Sequence, residues 1–390
     1  MIALLLAPIY IGLHALVLYG LLKLVSTFTW LNNKFVKGLI ILAYMFFVFS
    51  IGIGFVMPAS QLERYMKLCG NYVLGFSEYA VLFSFGGYII SLILKKKDKL
   101  TVKNHRIIGI SVIAVTLCTC LAGIYNAHNI RITPYDITVD KKADVESMKV
   151  VLIADLHLGY NIGVAHMEQM VEKINAENAD VVIIAGDIFD NDINALEDRD
   201  KLSEIFRSIK TKYGVYACYG NHDIQEKILA GFTFSDKSKP KASDPGMDSF
   251  LKESNIVLMR DEYVLLDNGV YIYGRPDKDK PGVGYENRKT PEQIMEQLDA
   301  SKPVIVIDHA PSYQDDLANA GVDVDLCGHT HDGQCWPGKI LTDIYWDNPY
   351  GYKQYGNMHN IVTSGVGLFG PNMRVGTIAE ICPITIHFKR

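Results

Sequence analysis

The stretch MKVVLIADLH, residues 148–157, decides the fold. Its apolar run from Val150 to Ala154 is unbroken and ends on an acid, Asp155, with His157 two places further on. A run this short with no polar alternation is a strand buried on both faces. The pattern returns in DVVIIAGD (180–187), GVYACYGNHD (214–223), PVIVIDHAP (303–311) and VDVDLCGHTH (322–331). Further strands are expected at 268–276 (NGVYIYGRP), at 360–366 (NIVTSGV) and near Ile381–Phe388. Helical patterns fall between them, at Val164–Asn178 and Asp192–Lys212. Strands alternating with helices imply α/β layering. Residues 127–147 read as a polar connector with one strand, and Phe232–Gly246, rich in Pro, Gly and charge, as a surface loop or insert.

The chemistry-bearing residues cluster at the ends of these strands. Asp155 and His157 close the first, Asp187 the second, and Asn221 and His222 the third. His309 closes a later one, and His329 and His331 follow the strand after that. Strand ends in an α/β fold gather on one edge, where ligands bind. Residues i and i+2 of a strand point the same way, so D-x-H and H-x-H can each aim two ligands at a common centre. Carboxylate, imidazole and amide oxygen together suit Mn, Fe or Zn, whereas a structural zinc site would be thiolate-rich. Seven side chains filling eight ligand positions need one shared residue, and Asp187 is the natural bridging carboxylate.

In this order, D-x-H, GDxxD, GNHD, a lone His and GHTH resemble the calcineurin-like metallophosphoesterase superfamily over about residues 148–372. The continuation GHTHDGQCWPG (328–338) is similar to its membrane-associated bacterial branch. The resemblance implies a four-layer α/β/β/α sandwich with two divalent metals at one edge, Mn²⁺ foremost and Fe or Zn as alternatives. It assigns Asp155, His157, Asp187 and His331 to one metal, and Asp187, Asn221, His309 and His329 to the other. Such a pair lowers the pKa of a bridging water and clamps the phosphoryl oxygens during in-line attack. His222 would be catalytic, near the leaving group, with Asp190 orienting it and Asp223 the competing candidate for that role. Asp332 and Asp308 add carboxylates where an anionic substrate must approach. Arg275 and Arg288 are candidates for holding a phosphate, or else brace loops.

Working outward from this domain, the front of the chain reads as a membrane module. Four nearly uncharged runs, about residues 2–22, 38–57, 72–94 and 107–125, are each long enough to cross a bilayer. Domain bounds follow: a transmembrane domain at 1–126, a linker or first strand at 127–147, and the metallophosphoesterase domain at 148–390. The basic loop from Lys95 to Arg106 sets the cytoplasmic side. The expected topology is therefore a multi-pass plasma-membrane protein with its catalytic domain extracytoplasmic. The mildly basic stretch Glu63, Arg64 and Lys67 falls on the outer side in that scheme. Glu78, seven residues into its span, reads as interfacial.

Charge divides the chain as sharply as hydropathy does. Residues 1–127 carry eleven Lys or Arg against three acids, and the remainder 27 against 40. So acidic a domain is a poor match for nucleic acid, which rewards basic surfaces. Seven scattered cysteines without a CxxC pair exclude a disulfide framework. The expected function is hydrolysis of a phosphomonoester, phosphodiester or pyrophosphate, on a membrane-associated or lipid-linked substrate. The alternative is a membrane sensor or scaffold that binds a nucleotide or phospholipid without useful turnover.

Overall fold

The structure, a computed structural model, describes residues 2–58, 60–229, 232–234, 243–280 and 288–389. The chain divides into two units, α1–α4 with Ile228–Thr233 and Gly370–Met373 in one, and the rest in the other.

In the first unit the helices are α1 (Ile2–Ser26), α2 (Lys34–Val56), α3 (Gln61–Lys96) and α4 (Val102–His128). All four are long and apolar enough to cross a membrane. Helix α3 begins eleven residues before the apolar run that announces it. Ser60 caps it by accepting from the Glu63 amide, and Glu63 reaches back to the Ser60 N–H. Glu63 then pairs with Lys67 at 2.6 Å, one turn along. The stretch read as a loop between two spans is thus the first turns of a 36-residue helix, and Glu78 lies midway along it. Helices α2 and α3 pack closely because Gly70 carries no side chain. A Cβ there would meet Ile51 Cα at 2.6 Å.

The second unit begins with β1 (Arg131–Ile132), β2 (Tyr135–Lys142), β3 (Ser147–Ile153), helix α5 (Val164–Ala176), β4 (Val181–Ala185), α6 (Arg199–Arg207) and β5 (Val215–Cys218). Next in the chain are β6 (Lys227–Leu229) and β7 (Phe232–Phe234), a separate two-stranded sheet that falls mostly in the first unit, and then α7 (Pro245–Glu253), β8 (Ile256–Leu258), β9 (Glu262–Leu265), β10 (Tyr271–Gly274) and α8 (Pro291–Met295) of the second. The chain closes with β11 (Val304–Ile307), α9 (Gln314–Ala320), β12 (Val324–Cys327), α10 (Gly338–Tyr345), β13 (Gly351–Tyr355), β14 (Met358–Val362) and β15 (Glu380–Lys389). Of the segment read as a polar insert, β7 and the start of α7 occupy the two ends, and residues 235–242 lie outside the described residues. The stretch read as a connector with one strand holds both β1 and β2, which pair in parallel with β15.

One sheet runs β1-β15-β3-β4-β5-β8, with β2 also on β15, and the other runs β13-β14-β12-β11-β10-β9. Strand alternation explains the layers. Val150 and Leu152 of β3 and Ile183 of β4 face Ile272, Ile305, Ile307, Val324 and Leu326 across the gap between the sheets. Their neighbours Val151, Ile153, Val182 and Ile184 pack outward under α5, α6 and α7. On the far side Val304, Val306 and Tyr273 pack against α8 and α9. Both faces of each central strand are covered, so the strands are written in continuous apolar residues. The result is the four-layer α/β/β/α sandwich.

Strands β3, β4 and β5 are mutually parallel, as are β11 and β12, so each sheet presents its strand C-termini together on one edge. Each expected metal ligand, and His222 with them, lies just beyond one of these five ends. The core between the sheets holds that edge in register. Leu152, fully buried between them, tests the arrangement. Leu152→Ala is expected to cost about 3 kcal/mol in a denaturant melt of the detergent-solubilised chain.

Candidate metal centre

Buried loops bring the strand-end residues together through sharp reversals. Asp155, His157, Asp187, His329 and His331 all have positive φ, between 45° and 75°. Non-glycine residues held there are strained, and such strain gathers at functional sites. Gly186, at φ +78°, lets the turn before Asp187 pass His309. A Cβ there would lie 2.6 Å from His309 Nδ1.

Two clusters of the expected ligands result, beside a third group formed by His157, Asp190 and His222. In one, Asp155, His157 and His331 place ligand atoms within 4.8 Å of one another, and His157 Nε2 lies 3.0 Å from His331 Nε2. Two ligands about 2.1 Å from one ion at a right angle would be about 3.0 Å apart. In the other, His309 Nε2 faces Asp187 Oδ2, Asn221 Oδ1 and His329 Nδ1, each at 3.1 Å. The main-chain carbonyl of Ala185 lies 2.9 Å from His309 Nδ1 and can only accept, so that nitrogen carries the hydrogen. In the neutral ring Nε2 is then a lone pair facing two oxygen acceptors and a further imidazole nitrogen. Such a convergence calls for a cation, so the donor set fits a divalent metal.

Asp187 joins the clusters. Its Oδ2 lies 3.1 Å from His309 Nε2 and 3.8 Å from His157 Nε2, while Oδ1 accepts from the His222 backbone amide at 2.7 Å. Asp155 is fully buried and accepts the His329 amide at 3.0 Å. The electrostatics agree with a site built for positive charge. Burial pushes Asp187 up, but His309 and His222 beside it hold it well below the usual carboxylate range. Burial pushes His309 down, and Asp187 overrides this and raises it well above its ordinary value. His329, pressed by burial and then by His309, falls to about 3. Burial is the largest influence on Asp155 and, with the Asp187 charge adding to it, lifts that carboxyl to about 6.

The remaining predicted residues take distinct places. His222 is buried with its Nδ1 against Asn191 Oδ1, which can only accept, so Nδ1 carries the hydrogen. Asp190 lies near the rings of both His157 and His222, with Oδ1 3.7 Å from His157 Nδ1 and a carboxylate oxygen within 4.8 Å of a His222 ring nitrogen. The group that meets His222 Nδ1 directly is Asn191. Asp223 accepts the amides of Gly220 and Phe189 at 2.7 and 2.8 Å and braces the loop carrying Asn221 and His222. Arg275 and Arg288 converge on Asp308, at 2.8 and 2.9 Å, so these arginines brace the strand end that carries His309. Asp332 pairs with Lys339 at 2.6 Å.

Two side chains have no signal in the sequence. Phe369 lays its ring 4.4 Å from that of His222 and 5.5 Å from that of His157, centroid to centroid. Arg374 is fully buried and donates to the carbonyls of Ser364 and Gly367 at 2.7 and 2.8 Å, with His331 Nδ1 3.3 Å from Nη2. It closes the turn behind His331 with a cation held mainly by carbonyl groups. Burial brings this guanidinium down to about 10.

Fold and clusters together define a metal-binding phosphoesterase domain. Residues 148–333, just under half of the chain, match the family model described as calcineurin-like phosphoesterase. The chain is 25% identical over 274 residues to a metallophosphoesterase of Aquifex aeolicus, covering 69% of this chain and 97% of the relative. It is 27% identical over 290 residues to a transmembrane protein with metallophosphoesterase domain from Danio rerio, covering 71% and 62%. With the UDP-2,3-diacylglucosamine pyrophosphatase LpxG of Chlamydia trachomatis it shares 23% over 244 residues, covering 53% and 72%.

Arg374 offers a test of this geometry. Arg374→Leu strips charged donors from buried carbonyls, and is expected to cost on the order of 3–5 kcal/mol in a melt. Arg374→Lys should recover part of the stability, but not the bound-metal content measured by elemental analysis, because one ammonium cannot span the same carbonyls.

Proposed function

We propose that this chain is a membrane-anchored phosphoesterase working with two divalent ions. Asp155, His157, Asp187 and His331 would hold one, and Asp187, Asn221, His309 and His329 the other. The observation that carries this reading is the Asp187 carboxylate, whose Oδ2 lies within reach of ring nitrogens from both clusters. When bound, such a pair supplies a nucleophile at neutral pH and neutralises charge on the phosphoryl oxygens.

The chain's own residues would do the rest. Asn191 fixes the His222 ring so that Nε2 is the nitrogen left to meet substrate. Phe369 backs that ring and limits how it can turn. The Arg275–Asp308–Arg288 group neutralises a buried acid beside His309, so Asp308 adds little repulsion toward an anionic substrate. Mn²⁺ suits the mixed nitrogen and oxygen donors, with Fe or Zn as alternatives.

The substrate is a phosphate ester or pyrophosphate, and a lipid-linked one is favoured on two grounds. Four membrane-crossing helices concentrate the domain at a lipid surface. In addition, the relative LpxG bears the name of a pyrophosphatase of a diacylated sugar nucleotide. The basic Lys95–Arg106 loop supports a cytoplasmic position for itself and an extracytoplasmic one for the phosphoesterase domain, in the plasma membrane.

Two measurements check this. The full chain in detergent should bind close to two equivalents of Mn²⁺ and hydrolyse an aryl phosphate or a bis-aryl phosphodiester, with chelator abolishing turnover. Asp187→Ala should lose both ions and about 4 kcal/mol of transition-state stabilisation, roughly a thousandfold in rate. Retention of activity by Asp187→Ala would sink the two-ion reading. Asn191→Leu should keep its metal and lower kcat roughly ten- to hundredfold with KM little changed. A change confined to KM would remove Asn191 from the orienting role.

A further inference from the structure

Helix α10 is turned inside out. Ile340, Leu341, Ile344 and Tyr345 share one face of it, and Lys339, Thr342 and Asp343 share the other. A surface helix normally buries its apolar face. Here the four apolar residues are 51%, 59%, 71% and 78% exposed, and no residue of the helix is buried. The polar face is the one tied down. Lys339 donates to Asp332 at 2.6 Å and to Asp343 at 3.1 Å, and Thr342 donates to the Lys339 carbonyl. Of these, the Lys339–Asp332 pair leaves the helix, and it ties the polar side to the turn after His331 with the apolar side outward.

We infer that this face of α10 docks on the lipid bilayer and brings the metal centre to the membrane surface. The occupant follows from the chain itself. Helix α4, the last membrane-crossing helix, ends at His128, and the first strand of the phosphoesterase domain starts at Arg131. A domain on so short a leash stays at the bilayer whatever its orientation. The composition is that of an interfacial helix, with branched aliphatic residues flanked by the aromatics Tyr345 and Trp346. The face is also continuous with the centre. Trp346, directly after the helix, lays its ring 5.2 Å from that of His329, and Asp332, which anchors Lys339, follows His331 in the chain. Docking there would present His329 and His331 to phosphate groups at headgroup depth. This deepens the phosphoesterase reading by naming where its substrate lies, but the docking itself does not require turnover.

The test uses the full chain reconstituted into phosphatidylethanolamine–phosphatidylglycerol vesicles, with benzoylphenylalanine placed at position 344 and, as a control, at position 263 on β9. Tyr263 is 46% exposed and lies away from α10 in the fold, on the edge strand of the second sheet. Illumination should give lipid adducts at 344 in roughly tenfold excess over 263. Equal labelling at the two positions overturns the inference, and so does cross-linking of 344 to a second copy of the chain. A second arm measures turnover of the Leu341→Glu/Ile344→Glu chain. Hydrolysis of a phosphatidyl-anchored aryl phosphoester should fall about tenfold, while that of a water-soluble aryl ester stays unchanged. Unchanged turnover of the anchored ester would show that docking does not present the centre to lipid. If the parent chain hydrolyses neither ester, the phosphoesterase reading fails, and the docking is decided by the adducts alone.

Discussion

Asp187 carries two opposed demands. It is buried where a carboxylate is costly, and it stands between imidazoles from two separate clusters, 3.1 Å from His309 and 3.8 Å from His157. In each cluster ring nitrogens and acid oxygens crowd together in a low-dielectric interior, where they need a proton or a cation between them. The sandwich supplies what holds them there. Parallel strands from two sheets end on one edge, and five of the residues just beyond those ends (Asp155, His157, Asp187, His329 and His331) turn inward through positive φ. The inter-sheet core, the turn behind His331 and the braced Asp308 all serve to fix that edge.

Much of this was legible in the sequence, for a physical reason. Strands covered on both faces must be apolar throughout, so β3, β4, β5, β11 and β12 stand out as runs, and the residues that break those runs are the candidate ligands. Edge strands carry no such signature. The GYKQY of β13 and the EYVL of β9 are half-exposed and are strands only because a neighbour pairs with them. Helix α3 extends beyond its apolar run because a cap, not hydropathy, sets its start. Asp190 and Asn191 show the finest limit. Asn191 sits at φ +60° and meets His222 Nδ1, while Asp190 lies near the rings of both His157 and His222. Spacing alone places both near the site and cannot decide which does what. Arg374 looks like a surface residue until the turn at 364–367 folds around it.

The two units obey different solvents, and α10 follows the rule of the first while belonging to the second. Helices α1–α4 expose apolar side chains because lipid is their solvent. The sandwich hides its apolar residues almost everywhere among the described residues, and a contiguous outward-facing set of four on one short helix departs from that pattern. The departure lies beside His329 and His331, so the inferred docking face adjoins the metal-ligating side chains.

The central claim is that one carboxylate, Asp187, couples two metal positions. Electron paramagnetic resonance of the Mn²⁺-loaded full chain tests this most directly. The account predicts the multiline signal of a spin-coupled pair, lost on Asp187→Asn. A signal of isolated, uncoupled Mn²⁺ at full loading, unchanged by that substitution, would contradict it.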